Sequence, residues 1–188
     1  MNLNQKHTFQ RIQVSKNWYL DEFVDPETFF TEVDNGRSKI DDNIINIAQQ
    51  LRNDDGRTMT CNTWWGYYIK HKDKKTLEEI LKDILSIDSI KKWSGLRTNK
   101  CKIGSPTSAH KIIKGRNSKC LALDLRSRYK EYHSIIMNNK KSYYNLGLRR
   151  IEDLSITVSW LHVDCLNKNT IANHLRIIFK TKAYNVKI

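Results

Sequence analysis

Two histidines and an aspartate stand out by type and setting: His110 in Ser108-Ala109-His110, Asp124 in Ala122-Leu123-Asp124, and His162 in Trp160-Leu161-His162-Val163-Asp164. Imidazole nitrogen and carboxylate oxygen are donors that zinc accepts, and three protein ligands leave its fourth tetrahedral position open. That open position separates a hydrolytic centre from a closed structural one. Residues two apart in a strand share a face. Trp160, His162 and Asp164 are therefore expected on one face, with Leu161 and Val163 in the core behind them. Ala122 and Asp124 would share a face in the same way, opposite Leu121, Leu123 and Leu125. Two such strands side by side would bring Asp124 and His162 to one ion, with His110 supplied from the loop before. Each residue also has an ordinary alternative: His110 at the surface, Asp124 as a helix cap, His162 as a hydrogen-bonded core histidine. The case for a metal rests on their combination.

The elements that would position these groups can be read along the chain. Asp25-Pro26-Glu27 reads as a helix start, because proline suits the first turn and carboxylates favour the positive end of the helix dipole. Ile40, Ile44, Ile45, Ile47, Ala48 and Leu51 recur at helical spacing, and Asp54-Asp55-Gly56 closes that helix. Thr58 to Asn62 reads as extended. Lys72 to Lys92 is a charged helix former with Leu77, Ile80, Leu81 and Ile84 on one face. Ser94-Gly95-Leu96-Arg97 leads into a loop holding Gly104 and Pro106, and Cys120 to Leu125 is a strand. A helix is predicted from Arg126 to about Tyr143, then strands over Leu146–Glu152 and Ile156–Val163, with one more apolar run at Ile177–Phe179. The expected class is α+β: a single domain with a small antiparallel sheet carrying the zinc site, flanked by helices. Its body is expected over 15–166, with insertions near 68–92 and 111–119, an N-terminal tail over 1–14 and a C-terminal extension over 167–188.

The formal charge of +13 on 188 residues implies attraction to a polyanion: nucleic acid, an anionic cell-wall polymer or a membrane surface. No helix-turn-helix or zinc-finger spacing is evident, which ranks specific nucleic-acid binding last. No apolar run is long enough to span a bilayer, and the polar Met1–Gln13 lacks the apolar segment of a signal peptide. The four cysteines form no CxxC pair and read as reduced, small buried groups. Trp64, Trp65 and Trp160 read either as core or as the wall of a sugar- or peptide-binding cleft.

Taken in order, Ser94-Gly95-Leu96-Arg97, Ser108-Ala109-His110, Ala122-Leu123-Asp124 and Trp160-Leu161-His162-Val163-Asp164 resemble the motifs of the D-alanyl-D-alanine carboxypeptidase-like zinc peptidases of peptidoglycan. Lys16-Asn17-Trp18-Tyr19-Leu20-Asp21-Glu22-Phe23 and Cys61-Asn62-Thr63-Trp64-Trp65 look like the phage branch of that family. The resemblance spans about residues 15–165. It implies zinc on His110, Asp124 and His162, and Arg97 on a substrate carboxylate or carbonyl, which suits a guanidinium fork. Ser108 would lie near the first ligand, and Trp160 would touch substrate. The implied partner is bacterial peptidoglycan, with other virion proteins as a further possibility. The implied location is the host cytoplasm on synthesis and the cell wall after holin release, or the virion itself.

Two departures from the family pattern matter. The segment between His110 and Asp124 is longer and basic around Ile112–Lys119, and Cys120 stands where the family has glycine. A loop insertion costs little, because closure entropy grows slowly with length. Ser159 stands where many members carry the catalytic acid. Asp164 is the first substitute as proton shuttle and Glu152 the second. Either could instead orient a ligand histidine or be a plain surface charge. The alternative to an enzyme is a catalytically silent wall-binding or virion structural module with the same fold.

Overall fold

The computed structural model describes residues 9–98, 100–127, 131–157, 159–167, 170–179 and 182–188. A short ribbon, β1 (Gln13–Ser15) and β2 (Trp18–Tyr19), precedes helix α1 (Pro26–Thr31), whose Asp25 cap accepts from Thr28 N. Helix α2 (Asp42–Asp55) follows, capped by Asp41 and ended by Gly56 at φ 66°. Its inward face is Ile44, Ile45, Ile47, Ala48 and Leu51, and each fully buried Ile or Leu contributes on the order of 2 kcal/mol. After β3 (Met59–Thr60) come α3 (Trp65–His71) and α4 (Leu77–Ser86), the latter begun by a reciprocal Thr76–Glu79 cap. Of the charged stretch Lys72–Lys92 expected to be helical, only α4 is helix, with Leu77, Ile80 and Ile84 buried; α3 ends just before it at His71.

The remaining elements are β4 (Ala122–Ser127), α5 (Tyr132–Asn138), α6 (Lys140–Asn145), β5 (Arg150–Glu152), β6 (Leu161–Asp164), β7 (His174–Ile178) and β8 (Ala183–Lys187). Six strands form one sheet in the order β3-β4-β6-β5-β7-β8. The α+β class stands, but the sheet is mixed: β5 and β7 run parallel while the other neighbours are antiparallel.

Three expectations are corrected. The segment after Asn167 is no appendage, because β7 and β8 complete the sheet. The expected N-terminal tail is docked from Phe9, whose ring meets Phe30 at 4.8 Å, and it supplies β1. The helix predicted from Arg126 begins only at Tyr132, since β4 continues to Ser127 to pair with β3, and Asn139 divides the remainder. Of that predicted helix, positions 128–130 lie outside the described residues.

Strand alternation assigns the two faces of the sheet. Leu123, Leu125, Ile151, Leu161, Val163, Leu175 and Ile177 are buried in one core with the inward faces of α2, α4 and α5. Asp124, Arg150, Glu152, His162, Asp164 and Arg176 occupy the alternate positions and line a cleft on the other side. A period of two therefore places apolar contacts behind each strand and chemistry in front of it.

Candidate metal centre

Strands β4 and β6 pair with Asp124 directly opposite His162 and Ala122 opposite Asp164. His110 arrives from the long segment between α4 and β4, which is tied to the rest of the molecule by backbone bonds. Arg97 N donates to His110 O at 2.9 Å, Leu121 N to Ala109 O at 2.9 Å, and Asp124 N to Ser94 O at 2.7 Å. Asn62 clamps the start of the segment: its amide donates to Val24 O at 2.7 Å, and its side-chain oxygen accepts from Ser94 N at 2.8 Å. Gly95 is required where it stands, because a Cβ there would meet the Phe23 carbonyl oxygen at 2.0 Å.

The three donors converge. His162 Nδ1 lies 2.8 Å from Asp124 Oδ1, His110 Nε2 lies 3.2 Å from the same oxygen, and the two imidazole nitrogens are 3.3 Å apart. Zinc bonds of 2.0–2.1 Å at tetrahedral angles space donor atoms by about 3.3 Å. The donor triangle already has nearly that size, so the residues fit the metal by type and by separation.

Each imidazole is held through its far nitrogen. His110 Nδ1 is 2.7 Å from Gly95 O. A carbonyl only accepts, so Nδ1 carries the proton and Nε2 presents its lone pair to the centre. His162 Nε2 donates to Asp164 Oδ2 at 3.2 Å, which turns Nδ1 inward. Outer partners of this kind fix ring orientation and tautomer in metal sites.

Burial shifts these groups in different directions. It pushes His110 below the usual histidine range. For His162 burial also disfavours the charged form, but hydrogen bonds to Asp124 and Asp164 outweigh it and push the imidazolium up to about 10. Burial alone would raise Asp124; its contacts with His110 and His162 hold it well below the ordinary carboxylate range. Thus His162 Nδ1 carries a proton at neutral pH, donated to Asp124.

Asp164 does not offer a free carboxylate. It is wholly buried, takes a forked contact from Arg150 at 2.7–3.1 Å, and accepts from Leu166 N at 2.9 Å. Burial opposes its ionisation, yet His162 and Arg150 keep its pKa lowered. Its oxygens are turned to Arg150, His162 and Leu166 N, which is the setting of a group that orients the His162 ring. Glu152, by contrast, lines the cleft, and its carboxylate has no hydrogen bond or ion pair among the described residues. The register that sets Arg150 opposite Asp164 and Ile151 opposite Val163 carries Glu152 toward His162. Ser159 is exposed.

The cleft in front of the donors has a volume of about 530 Å³. Arg97, Ser108 and Trp160 all line it. The Arg97 guanidinium, however, is engaged by Asp124 and by Trp93 O, the latter at 2.7 Å. Ser108 Oγ accepts from His110 N at 3.3 Å, which steadies the turn carrying His110. Trp64 and Trp65 are buried against Phe29 and Phe30, so of the three tryptophans proposed for a cleft only Trp160 reaches it.

Arg150 and the Gly95 carbonyl are functional groups that the sequence reading missed. Arg150 stands two residues before Glu152 on the same face, a signal usable only once the strand register is known. The cysteines are free, and burial pushes Cys120 up to about 12, as suits inert packing groups. No helix among the described residues is long and apolar enough to cross a membrane. No family model, curated protein or solved structure matches the chain.

Proposed function

We propose that this chain is a zinc-dependent peptidase that hydrolyses a peptide bond in bacterial peptidoglycan, within the stem peptide or the cross-link. The observation that carries the reading is the donor triangle of His110, Asp124 and His162, with each imidazole fixed from behind and all three facing one cleft. The motif resemblance supplies the substrate class. The high positive charge suits an enzyme concentrated on an anionic wall, and a phage origin would make it a free lysin or a virion component.

His110, Asp124 and His162 would hold the metal. When bound, zinc supplies Lewis acidity at a carbonyl and a hydroxide nucleophile near neutral pH. Glu152 is the proton carrier: its carboxylate, on the cleft lining, accepts a proton from water and delivers it to the departing amine nitrogen. Asp164 and Arg150 act through His162, keeping its ring aimed at the centre. Trp160 offers an apolar wall for the substrate.

The test is release of amines, with loss of turbidity, from purified peptidoglycan incubated with zinc-loaded protein, beside His162→Ala and Glu152→Gln. Zinc-dependent release that disappears in both variants is expected. One zinc per chain without release from any wall type overturns the enzyme reading. It would favour the silent wall-binding or virion structural module, to which Ser159 at the usual acid position already points.

A further inference from the structure

The cleft does not end at the donor triangle. A second lobe of about 390 Å³ adjoins it, and Arg97, Ile103, Asp124 and Trp160 line both. The cations around the two lobes differ in how they are used. Arg97 and Arg150 are engaged by Asp124 and Asp164. Lys92 donates to three carbonyls at the end of α4, from Ile84, Leu85 and Ile87, at 2.8–3.0 Å.

Lys91 and Arg126 line the second lobe and are not used in this way. Among the described residues neither side-chain cation has a hydrogen-bond or ion-pair partner; Arg126 lies over the Trp160 ring at 5.5 Å. Lys91 is half-buried, and burial together with the nearby Arg126 charge pushes its ammonium down to about 8. Asp88, the other acid of this lobe, is exposed and acts on Lys92. Asp124 offers Lys91 only a weaker attraction, since its charge is shared with Arg97 and His162. Two like charges lining one lobe beside an aromatic wall oppose the free state, and a bound anion would relieve that opposition.

We propose that Lys91 and Arg126, in the lobe beyond Trp160, form a subsite for a carboxylate of the substrate, placed so that the peptide runs across the metal centre with its acidic group on this side. The peptide identity rests on the peptidase reading above; the anion subsite rests on two cations of one lobe that, among the described residues, have no acid or hydrogen-bond partner. Arg97 remains turned to Asp124, and discrimination for the free acid belongs to Lys91 and Arg126.

The experiment is isothermal titration of the full chain, zinc-loaded, with the stem tetrapeptide L-Ala-D-γ-Glu-L-Lys-D-Ala and with the same peptide amidated at its carboxylates. Wild type and the Lys91→Gln/Arg126→Gln double variant are compared, with hydrolysis followed in parallel. The free acid is expected to bind wild type about tenfold more tightly than the amide, as charge-assisted hydrogen bonds would give. The double variant should lose that preference with its zinc content unchanged. The Lys91→Arg/Arg126→Lys exchange should retain it, which a merely structural role would not predict. Equal binding and equal hydrolysis of both peptides by wild type and double variant overturn the subsite and leave the peptidase intact. Acid-selective binding that depends on the two cations, with no hydrolysis, keeps the subsite and overturns the peptidase. Binding of polyglycerol phosphate but of neither peptide overturns the subsite in favour of an anionic wall polymer.

Discussion

Two buried regions of this protein solve opposite problems. On one side, Trp64 meets Phe29, Phe30 and Trp65 at ring distances of 5.4, 5.3 and 5.6 Å, edge against face, and its single polar atom donates to Val24 O at 3.0 Å. On the other side of the sheet, Asp124, His162, Asp164, Arg97 and Arg150 are brought together at side-chain exposures of 0–16%. The aromatic layer gains free energy from burial and needs one hydrogen bond to satisfy it. The charged cluster gains little net stability, because desolvation offsets most of its Coulomb attraction. A fold that keeps such a cluster is holding donors in place for something else. The difference can be broken apart by mutations that hit one region and spare the other.

The widest separation is expected between His162→Ala and Trp64→Ala. Loss of the histidine ligand should weaken zinc binding more than about 100-fold, beyond the 10–100-fold typical of outer partners, and abolish peptide release. Removing the indole should cost about 3–5 kcal/mol of folding free energy, with zinc affinity of the folded fraction unchanged. Competition with a chelator reads the first effect and denaturant unfolding the second. Equal loss of zinc affinity in both variants would mean that the cluster and the aromatic layer are not independent.

Next in size is a contrast inside the cleft. Glu152→Gln should lower kcat about 10²–10⁴-fold, the range of a lost general acid–base, with zinc content and stability unaltered. Asp164→Asn should do the reverse, with zinc affinity down about 10–100-fold. It should also unfold more readily, since Arg150 loses its buried counter-charge. Steady-state kinetics on fully zinc-loaded protein separates the two. A larger kcat effect in Asp164→Asn than in Glu152→Gln would return the proton-transfer role to Asp164.

What the chain discloses before folding tracks the range of the physics involved. Helix α2 was legible because its signal is local: isoleucines at helical spacing, closed by Asp54-Asp55-Gly56. The shared face of Asp124 and His162 was legible because strand alternation is also local, and the observed register sets them opposite each other. The Arg150–Asp164 pair was not, since it depends on which strands become neighbours and in what register. The parallel pairing of β5 with β7 is a non-local choice of the same kind. Trp64 and Trp65 were ambiguous for a different reason: an aromatic pair looks alike in a cleft and in a core until Phe29 and Phe30 are placed against it.

The smallest predicted effect concerns pH and bears on the charged cluster alone. His162 holds its proton up to about 10, and a zinc ligand must be the neutral imidazole, so binding displaces that proton. Between pH 6 and 9 zinc affinity should therefore rise about tenfold per pH unit, one proton released per metal bound. His110 and Asp124 add less to this slope than His162, because both are held below their ordinary ranges. The zinc-free fold should respond with the opposite sign. A folded-state value raised above the unfolded value of about 6.5 gives stability that is complete below that pH and lost as pH climbs toward 10. Calorimetric titration in buffers of different ionisation enthalpy counts the protons released, and denaturant unfolding of the zinc-free protein gives the second slope. Zinc affinity flat across this range would mean that Asp124 and Asp164 do not hold His162 charged, and that the donors meet the metal already neutral.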